Sequence, residues 1–238
     1  MPSRADVETY AQANRDIRTL VLRDLAGFWA TLDTQNATDT RDALLEVVPL
    51  LVAQYGEMAA SVAADFYDLL REQAATPGRY SAVLADAVDV EELRGQIRWS
   101  IDPLFSANPD PASALGRLQI KVDEFTLQPG RDTIATSARH DPAKAHWARV
   151  PVGKTCAFCL TLASRGPVYR SEESAGKARK YHGDCDCTPT PYWYGDAHPE
   201  GYDPDALYQQ YADARDEVGS YKFKPILAEI RSQQGLNH

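Results

Sequence analysis

The segments TCAFC, at residues 155–159, and YHGDCDC, at residues 181–187, contain all four cysteines of this 238-residue chain. The first has the C-x-x-C spacing that lets two thiolates face one ion from a tight turn. The second reads H-x-x-C-x-C, and in an extended backbone its last two cysteines share one face. The two segments therefore predict a metal clip that folds a small module.

Five side chains are candidate ligands for one tetrahedral Zn²⁺ ion. The spacing favours Cys156 and Cys159 together with two of His182, Cys185 and Cys187, and the fifth is then a neighbour or an alternative ligand. A closed ligand shell leaves no position for a substrate, so the predicted zinc is structural. Disulfides, for example between Cys156 and Cys187, are the alternative reading of the same cysteines.

The composition, 44% hydrophobic and 25% charged, is that of an ordinary globular protein. The N-terminus MPSRADVETY has no apolar segment of a secretory signal, so we expect synthesis in a reducing cytoplasm, where clustered cysteines bind metal more often than they pair. The longest apolar run, residues 43–53, is broken by Glu46 and Pro49 and is shorter than the roughly 20 residues of a membrane span. We therefore expect no membrane partner.

The charge is distributed unevenly along the chain. A net charge of −9 argues against a dedicated nucleic-acid-binding protein, because phosphate affinity depends on concentrated Lys and Arg. Residues 139–182 nevertheless hold nine Lys and Arg against three acidic residues. These basic residues form either a solvated face that also steadies nearby thiolates or a contact surface. The candidates for contact with DNA or an acidic partner are Lys154, Arg165, Arg170, Lys177, Arg179 and Lys180.

The first half has the periodicity of packed helices, with apolar side chains at three- and four-residue spacings. One helix is expected from Ser3 to about residue 32, and Asp39 or Thr40 can cap a second. Asp89 can cap a third, and residues 129–130, Pro-Gly, are expected to close a fourth. These apolar stripes are read as core, without a chemical role.

From about residue 139 the helical periodicity gives way to short segments with strand-forming residues, Gly and Pro. Residues 167–169 and 187–194 read as edge strands or extended loops, because proline is excluded from central strands. Asp203 and Pro204 mark the start of a last helix. The predicted fold class is α+β, mainly α: a helical domain at 1–130 that folds independently, a zinc-stabilised α+β module at 131–200 and a C-terminal helical tail at 201–238.

Catalytic readings of the cysteine cluster are weaker than a structural one. A thioredoxin-like motif requires a βαβ context, and a zinc deaminase requires H-x-E before P-C-x-x-C, the reverse of the order here. A zinc-supported nuclease requires a second histidine near a basic cleft, and His140, His146 and His198 form no tight sequence pair with His182. We predict that the chain is not an enzyme, with a nuclease as the alternative.

Residues 139–193, which carry these motifs, resemble the Mu F-like minor capsid, or head morphogenesis, proteins of tailed bacteriophages, in particular the branch of actinobacterial phages. The matching pattern is C-x-x-C, then a loop with Gly166 and Tyr169, then H-x-x-C-x-C and an extended tail. Gly183 and Asp186 stand where other branches usually have Pro and Arg. The helical first half agrees with that family only in general character.

The resemblance implies a non-enzymatic virion component, made in the host cytoplasm and packaged inside the capsid near the portal. Its expected partners are the portal or major capsid protein. The basic segment would then face packaged DNA or an acidic patch on one of those proteins.

Overall fold

The first 140 residues form a bundle of helices around one long central pair. The computed structural model describes residues 1–153, 155–169 and 187–235. The helices of this part are α1 (Arg4–Trp29), α2 (Ala37–Gln73), α3 (Val90–Ser100) and α4 (Pro111–His140), with a 3₁₀ turn at Asp102–Phe105. Side chains from all four helices form the apolar core of the bundle.

Side-chain caps set the helix starts. The Asp89 side chain accepts hydrogen bonds from the first turn of α3, as predicted. Ser3 and Asp6 form a reciprocal capping box at α1, which was not predicted. The predicted cap of α2 was wrong: the cap is Asn36, whose side chain accepts from the Asp39 amide at 3.2 Å. Asp39 is thereby a first-turn residue, and Thr40 donates its hydroxyl to the Asp33 carbonyl.

The prediction that α4 ends at Pro129 and Gly130 was wrong, because the helix continues to His140. The glycine is there for packing: a Cβ on Gly130 would lie 2.7 Å from the Ala59 carbonyl oxygen on α2. One turn of α2 earlier, a Cβ on Gly56 would lie 3.2 Å from the Pro129 ring. Pro129 and Gly130 therefore mark a close crossing of α4 and α2. From the sequence alone, the same Pro-Gly pair predicts the end of a helix.

By length and composition α2 could cross a membrane, with a mean hydropathy of 1.3 over an 18-residue window. The central helix of a folded core passes the same test. In this structure α2 packs against α1, α3 and α4, and Leu44, Val48 and Ala63 are completely buried. The expectation of no membrane partner stays a prediction.

A two-stranded antiparallel sheet follows the bundle, formed by β1 (His146–Pro151) and β2 (Cys187–Tyr192). The predicted extended segment at 187–194 is confirmed for β2, and β1 was not predicted. Trp147 exchanges both of its backbone hydrogen bonds with Tyr169 on the side away from β2. Pro191, opposite Trp147, therefore sits where a strand needs no N–H donor.

Helices α5 (Ala157–Ala163), α6 (Pro204–Val218) and α7 (Phe223–Gln234) complete the described fold. One C-terminal helix was predicted, but two are present, because Gly219 ends α6 with a left-handed backbone at φ +61°. A small apolar cluster joins the three helices through Ala157, Ala214, Ile226, Leu227 and Ile230. The fold is thus mainly helical with one small sheet.

The bundle and the sheet share one core. Tyr10, Phe66 and Tyr67 from the helices lie in the same buried cluster as Trp147 and Trp193 from the second half. Independent folding of residues 1–130 stays a prediction, and a boundary at residue 130 would cut α4.

Asp141, directly after α4, joins the two halves through a buried carboxylate. Its side chain is 0% exposed and accepts hydrogen bonds from Arg71 Nε at 2.9 Å, Tyr67 OH at 3.0 Å and Trp193 Nε1 at 3.1 Å. The Ala143 amide donates to the other carboxylate oxygen at 2.8 Å. Burial alone would raise the pKa of Asp141, but these hydrogen bonds outweigh it and hold the pKa below its usual range.

We predict that Asp141→Asn destabilises the protein by about 3–5 kcal/mol at pH 7, since it leaves Arg71 buried without its anionic partner. Because the folded pKa of Asp141 is lowered, its contribution is complete above the unfolded value of about 3.9 and is lost as the pH falls through the folded value. Denaturant unfolding from pH 7 to pH 3 should therefore show the gap between wild type and variant shrinking below about pH 4.

The control for this prediction is Asp42→Asn, because Asp42 forms a surface pair with Arg41 and its side chain is 61% exposed. This variant should change the free energy of unfolding by no more than about 0.5 kcal/mol. Equal stability of Asp141→Asn and wild type at pH 7 would contradict the role given to Asp141.

The helix crossing gives a second prediction. Gly130→Ala should destabilise the protein by about 1–3 kcal/mol, because the added methyl group overlaps the Ala59 carbonyl of α2. Gly116→Ala, on the same helix with nothing within 4 Å of its Cβ position, should instead stabilise by up to about 1 kcal/mol. Denaturant unfolding of both variants measures the difference, and destabilisation of equal size at both positions would disprove the close crossing.

Candidate metal centre

Three of the four cysteines meet at one end of the sheet. Cys156 is the residue before α5, Cys159 lies in the first turn of that helix, and Cys187 is the first residue of β2. Cys159 and Cys187 are buried against each other, and the half-buried Cys156 packs beside them. All three are free thiols, so the alternative disulfide between Cys156 and Cys187 is not formed in this structure.

Each of these three sulfurs accepts a hydrogen bond. The Cys159 amide donates to Cys156 Sγ at 3.5 Å, as in the tight turn that C-x-x-C spacing predicts. Arg149 Nη1 donates to Cys187 Sγ at 3.5 Å and to Cys159 Sγ at 3.8 Å. Such donors bind a thiolate more strongly than a neutral thiol, as the sulfurs of a metal site require.

Arg149 was correctly predicted to lie beside the thiolates but wrongly predicted to lie on a solvated face. It counted among the basic residues of a solvated or contact face, but its side chain is completely buried. The strand register explains the location: Arg149 pairs with Pro189, and Cys187, two residues earlier on β2, projects from the same face of the sheet. The sequence signal for this location was an arginine inside an otherwise apolar strand, W-A-R-V.

Tyr169 forms another wall of the same region. Its ring packs on Trp147 with centroids 4.7 Å apart, and its hydroxyl donates to the Leu162 carbonyl on α5. Burial raises the pKa of Tyr169, although the nearby Arg165 and Arg149 guanidinium groups act in the opposite direction. Tyr169 is thus a neutral side chain at physiological pH.

The N-terminal helix holds the strand that leads to the cysteines. Arg4 on α1 donates to the carbonyl oxygens of Pro151 and Val152, both at 2.9 Å. These two residues end β1 and begin the connection to Cys156. Sequence reasoning missed this contact, because the two partners are almost 150 residues apart.

The other predicted ligands, His182 and Cys185, lie outside the described residues. Within the described ranges, no group of three or more His, Cys, Asp or Glu side chains is arranged to hold a metal ion. The structure therefore brings together Cys156, Cys159 and Cys187 from the two predicted halves, and it shows no complete zinc site among those residues.

The predicted contact surface is described at one position. Arg165, in the turn after α5, is exposed. Lys154, Arg170, Lys177, Arg179 and Lys180 lie outside the described residues.

Residues 1–214 match the model of a protein family described as VG15 protein. The chain is 32% identical over 146 residues to the Gene 15 protein of Mycobacterium phage D29, covering 56% of this chain and 50% of the relative. It is 30% identical over 154 residues to the Gene 15 protein of Mycobacterium phage L5, covering 56% and 49%. The chain spans about half the length of these curated relatives. No solved structure matches.

Proposed function

This chain belongs to the VG15 family of phage proteins, and from that premise we propose that it is a structural minor capsid, or head morphogenesis, protein of a tailed bacteriophage. The chain would be made in the host cytoplasm and packaged inside the capsid near the portal. Support for the head assignment comes from the Mu F-like pattern of cysteines, histidine, Gly166 and Tyr169 in the second half.

The observation that carries a structural role is the convergence of Cys156, Cys159 and Cys187 in a buried corner. Cys159 is 0% exposed and Cys187 is 5% exposed. An ion bound to these sulfurs would lie where a macromolecular substrate has no approach, and closed zinc sites of this kind stabilise folds. The proposed clip is made of the three sulfurs and one of His182 and Cys185.

The clip would supply the cross-link that a small sheet needs. Two strands are marginally stable by themselves, and β1 and β2 are six residues each. Coordination by Cys156 and Cys159 at the start of α5 and by Cys187 at the start of β2 would fix the strand to the helix. The zinc ion would thereby contribute binding free energy to folding.

The basic segment provides the proposed contact with other head components. Arg165 is exposed, and a surface of Lys and Arg would hold phosphate groups without reading bases. The strongly acidic remainder of the chain would limit DNA contact to one face. The alternative partner is an acidic surface on the portal or major capsid protein, where charges at the rim set orientation more than affinity.

Purified protein should contain about one equivalent of zinc, and Cys156→Ser should lower that content and melt the sheet module. The near-UV signal of Trp147 and Trp193 should fall, whereas the far-UV signal of the helical bundle should persist. Elemental analysis of untagged protein and circular dichroism measure both effects. Thr155→Ser, a conservative change next to the ligand, is the control.

Finding no metal in the wild-type protein, together with thiol counts that indicate two disulfides, would contradict the zinc clip. Such a result would not decide the proposed head role, which is tested by incorporation into phage heads.

Charge reversal tests the head role and the basic segment together. Replacing Lys177, Arg179 and Lys180 by Glu should reduce incorporation into phage heads and weaken DNA retention at low salt, with the DNA attraction lost steeply as salt rises. Quantifying the chain in purified heads and measuring DNA retention on the same variant gives both readouts. Lost incorporation with unchanged DNA binding identifies a protein partner.

The matched control reverses three exposed charges elsewhere, Arg79, Lys222 and Lys224, and should leave both readouts unchanged. Absence of the wild-type chain from purified heads would overturn the head assignment. Incubation of the wild-type protein with plasmid DNA and Mg²⁺ addresses the nuclease alternative, and DNA cleavage that Cys156→Ser abolishes would favour that enzyme over a structural protein.

A further inference from the structure

We infer that Arg149 is the buried counter-cation of the cysteine site: its guanidinium offsets the negative charge of the thiolate ligands and orients the sulfurs of Cys159 and Cys187. This inference rests on the zinc clip proposed above. It adds to that clip one residue, Arg149, that is not itself a metal ligand. In this role Arg149 is a positioning residue, which acts on the metal through its ligands.

Arg149 carries a permanent charge into the protein interior. Arg149 heads the largest completely buried side chains of the described residues, and a guanidinium stays protonated in proteins. Arginine and lysine are almost never fully buried without a partner, because desolvation of the charge is costly. Two of the partners of Arg149 are the sulfurs of Cys159 and Cys187, so part of the hydrogen-bonding capacity of this buried cation is used at the site.

The proposed site itself is negatively charged. Zn²⁺ with three thiolates and one histidine carries one net negative charge, and with four thiolates it carries two. A site of this charge in a buried corner is therefore stabilised by a nearby cation. One guanidinium at hydrogen-bond distance neutralises the first ligand set completely and the second by half.

The guanidinium group also has the geometry of a shared donor. A single nitrogen, Arg149 Nη1, reaches Cys187 on β2 and Cys159 on α5. It thus donates to one sulfur from each half of the motif. The Cys159 amide donates a hydrogen bond to the third sulfur, Cys156 Sγ. Hydrogen bonds from outside the ligand shell hold metal ligands in orientation and tune their donor strength.

The test compares metal affinity across substitutions at this position. Zinc affinity is measured by competition with a chromophoric chelator, and Co²⁺ substitution reports thiolate coordination through its charge-transfer absorption. Arg149→Gln, which keeps hydrogen-bonding capacity but removes the charge, should weaken zinc binding by about 10–100-fold and shift the Co²⁺ charge-transfer band. Arg149→Lys, which keeps the charge, should restore most of the affinity.

The control separates charge from loss of strand support. Arg4→Gln removes two hydrogen bonds at the end of the same strand without touching a sulfur. If Arg149 only holds β1 in place, Arg4→Gln should lower zinc affinity to a similar extent. We expect a much smaller loss of zinc affinity than in Arg149→Gln and an unchanged Co²⁺ charge-transfer band, because Arg4 supports the strand and does not contact the sulfurs.

The possible outcomes separate a failure of the role of Arg149 from a failure of the zinc clip or of the head role. Wild-type zinc binding with an unchanged affinity in Arg149→Gln would overturn the role of Arg149 alone. Wild-type protein that binds no zinc would overturn both the clip and this inference, and the head assignment would still be decided by incorporation. If Arg149→Gln does not fold, Arg149→Lys decides: near-wild-type affinity supports the charge argument, and a large loss overturns it.

Discussion

The buried carboxylate of Asp141 is the interaction on which the arrangement of this protein depends. It accepts hydrogen bonds from Tyr67 and Arg71 on the central helix α2 and from Trp193 just after β2. Asp141 also ends α4, five residues before β1 begins. One side chain therefore fixes where the helical bundle stops and where the sheet rests, and a buried charge of this kind tolerates little displacement of its donors.

The cysteine corner follows from that placement. Once Trp193 is fixed, β2 runs antiparallel to β1 in the register that puts Arg149 and Cys187 on one face. Arg4 of α1 holds the end of β1 by two carbonyl contacts and so controls the path into Cys156. The cysteine corner therefore depends on a contact between the N-terminal helix and a strand almost 150 residues later in the chain.

The sheet itself has unusual sequence requirements for its size. Pro189 and Pro191 lie in β2 at positions opposite Arg149 and Trp147, where the pairing pattern calls for no backbone donor. The two prolines therefore cost the sheet no hydrogen bond between β1 and β2, although each strand is only six residues long. Their stability comes mainly from Trp147, Val150 and Tyr192 in the shared core, and the proposed metal clip would add to it at the open end.

The sequence by itself determined the mainly helical class, the cap at Asp89 and the strand at β2, because each depends on neighbouring residues. It also predicted the meeting of the two cysteine segments, because each carries half of a recognisable ligand pattern. Only the tertiary structure decided that Gly130 is a helix contact, that Asp141 joins the halves and that Arg149 is buried against sulfur. Those outcomes depend on partners 38 to 71 residues away, such as Cys187, Ala59 and Arg71. Local propensity carries no information about contacts over such separations, since the energy that selects them is packing and charge pairing in the assembled core.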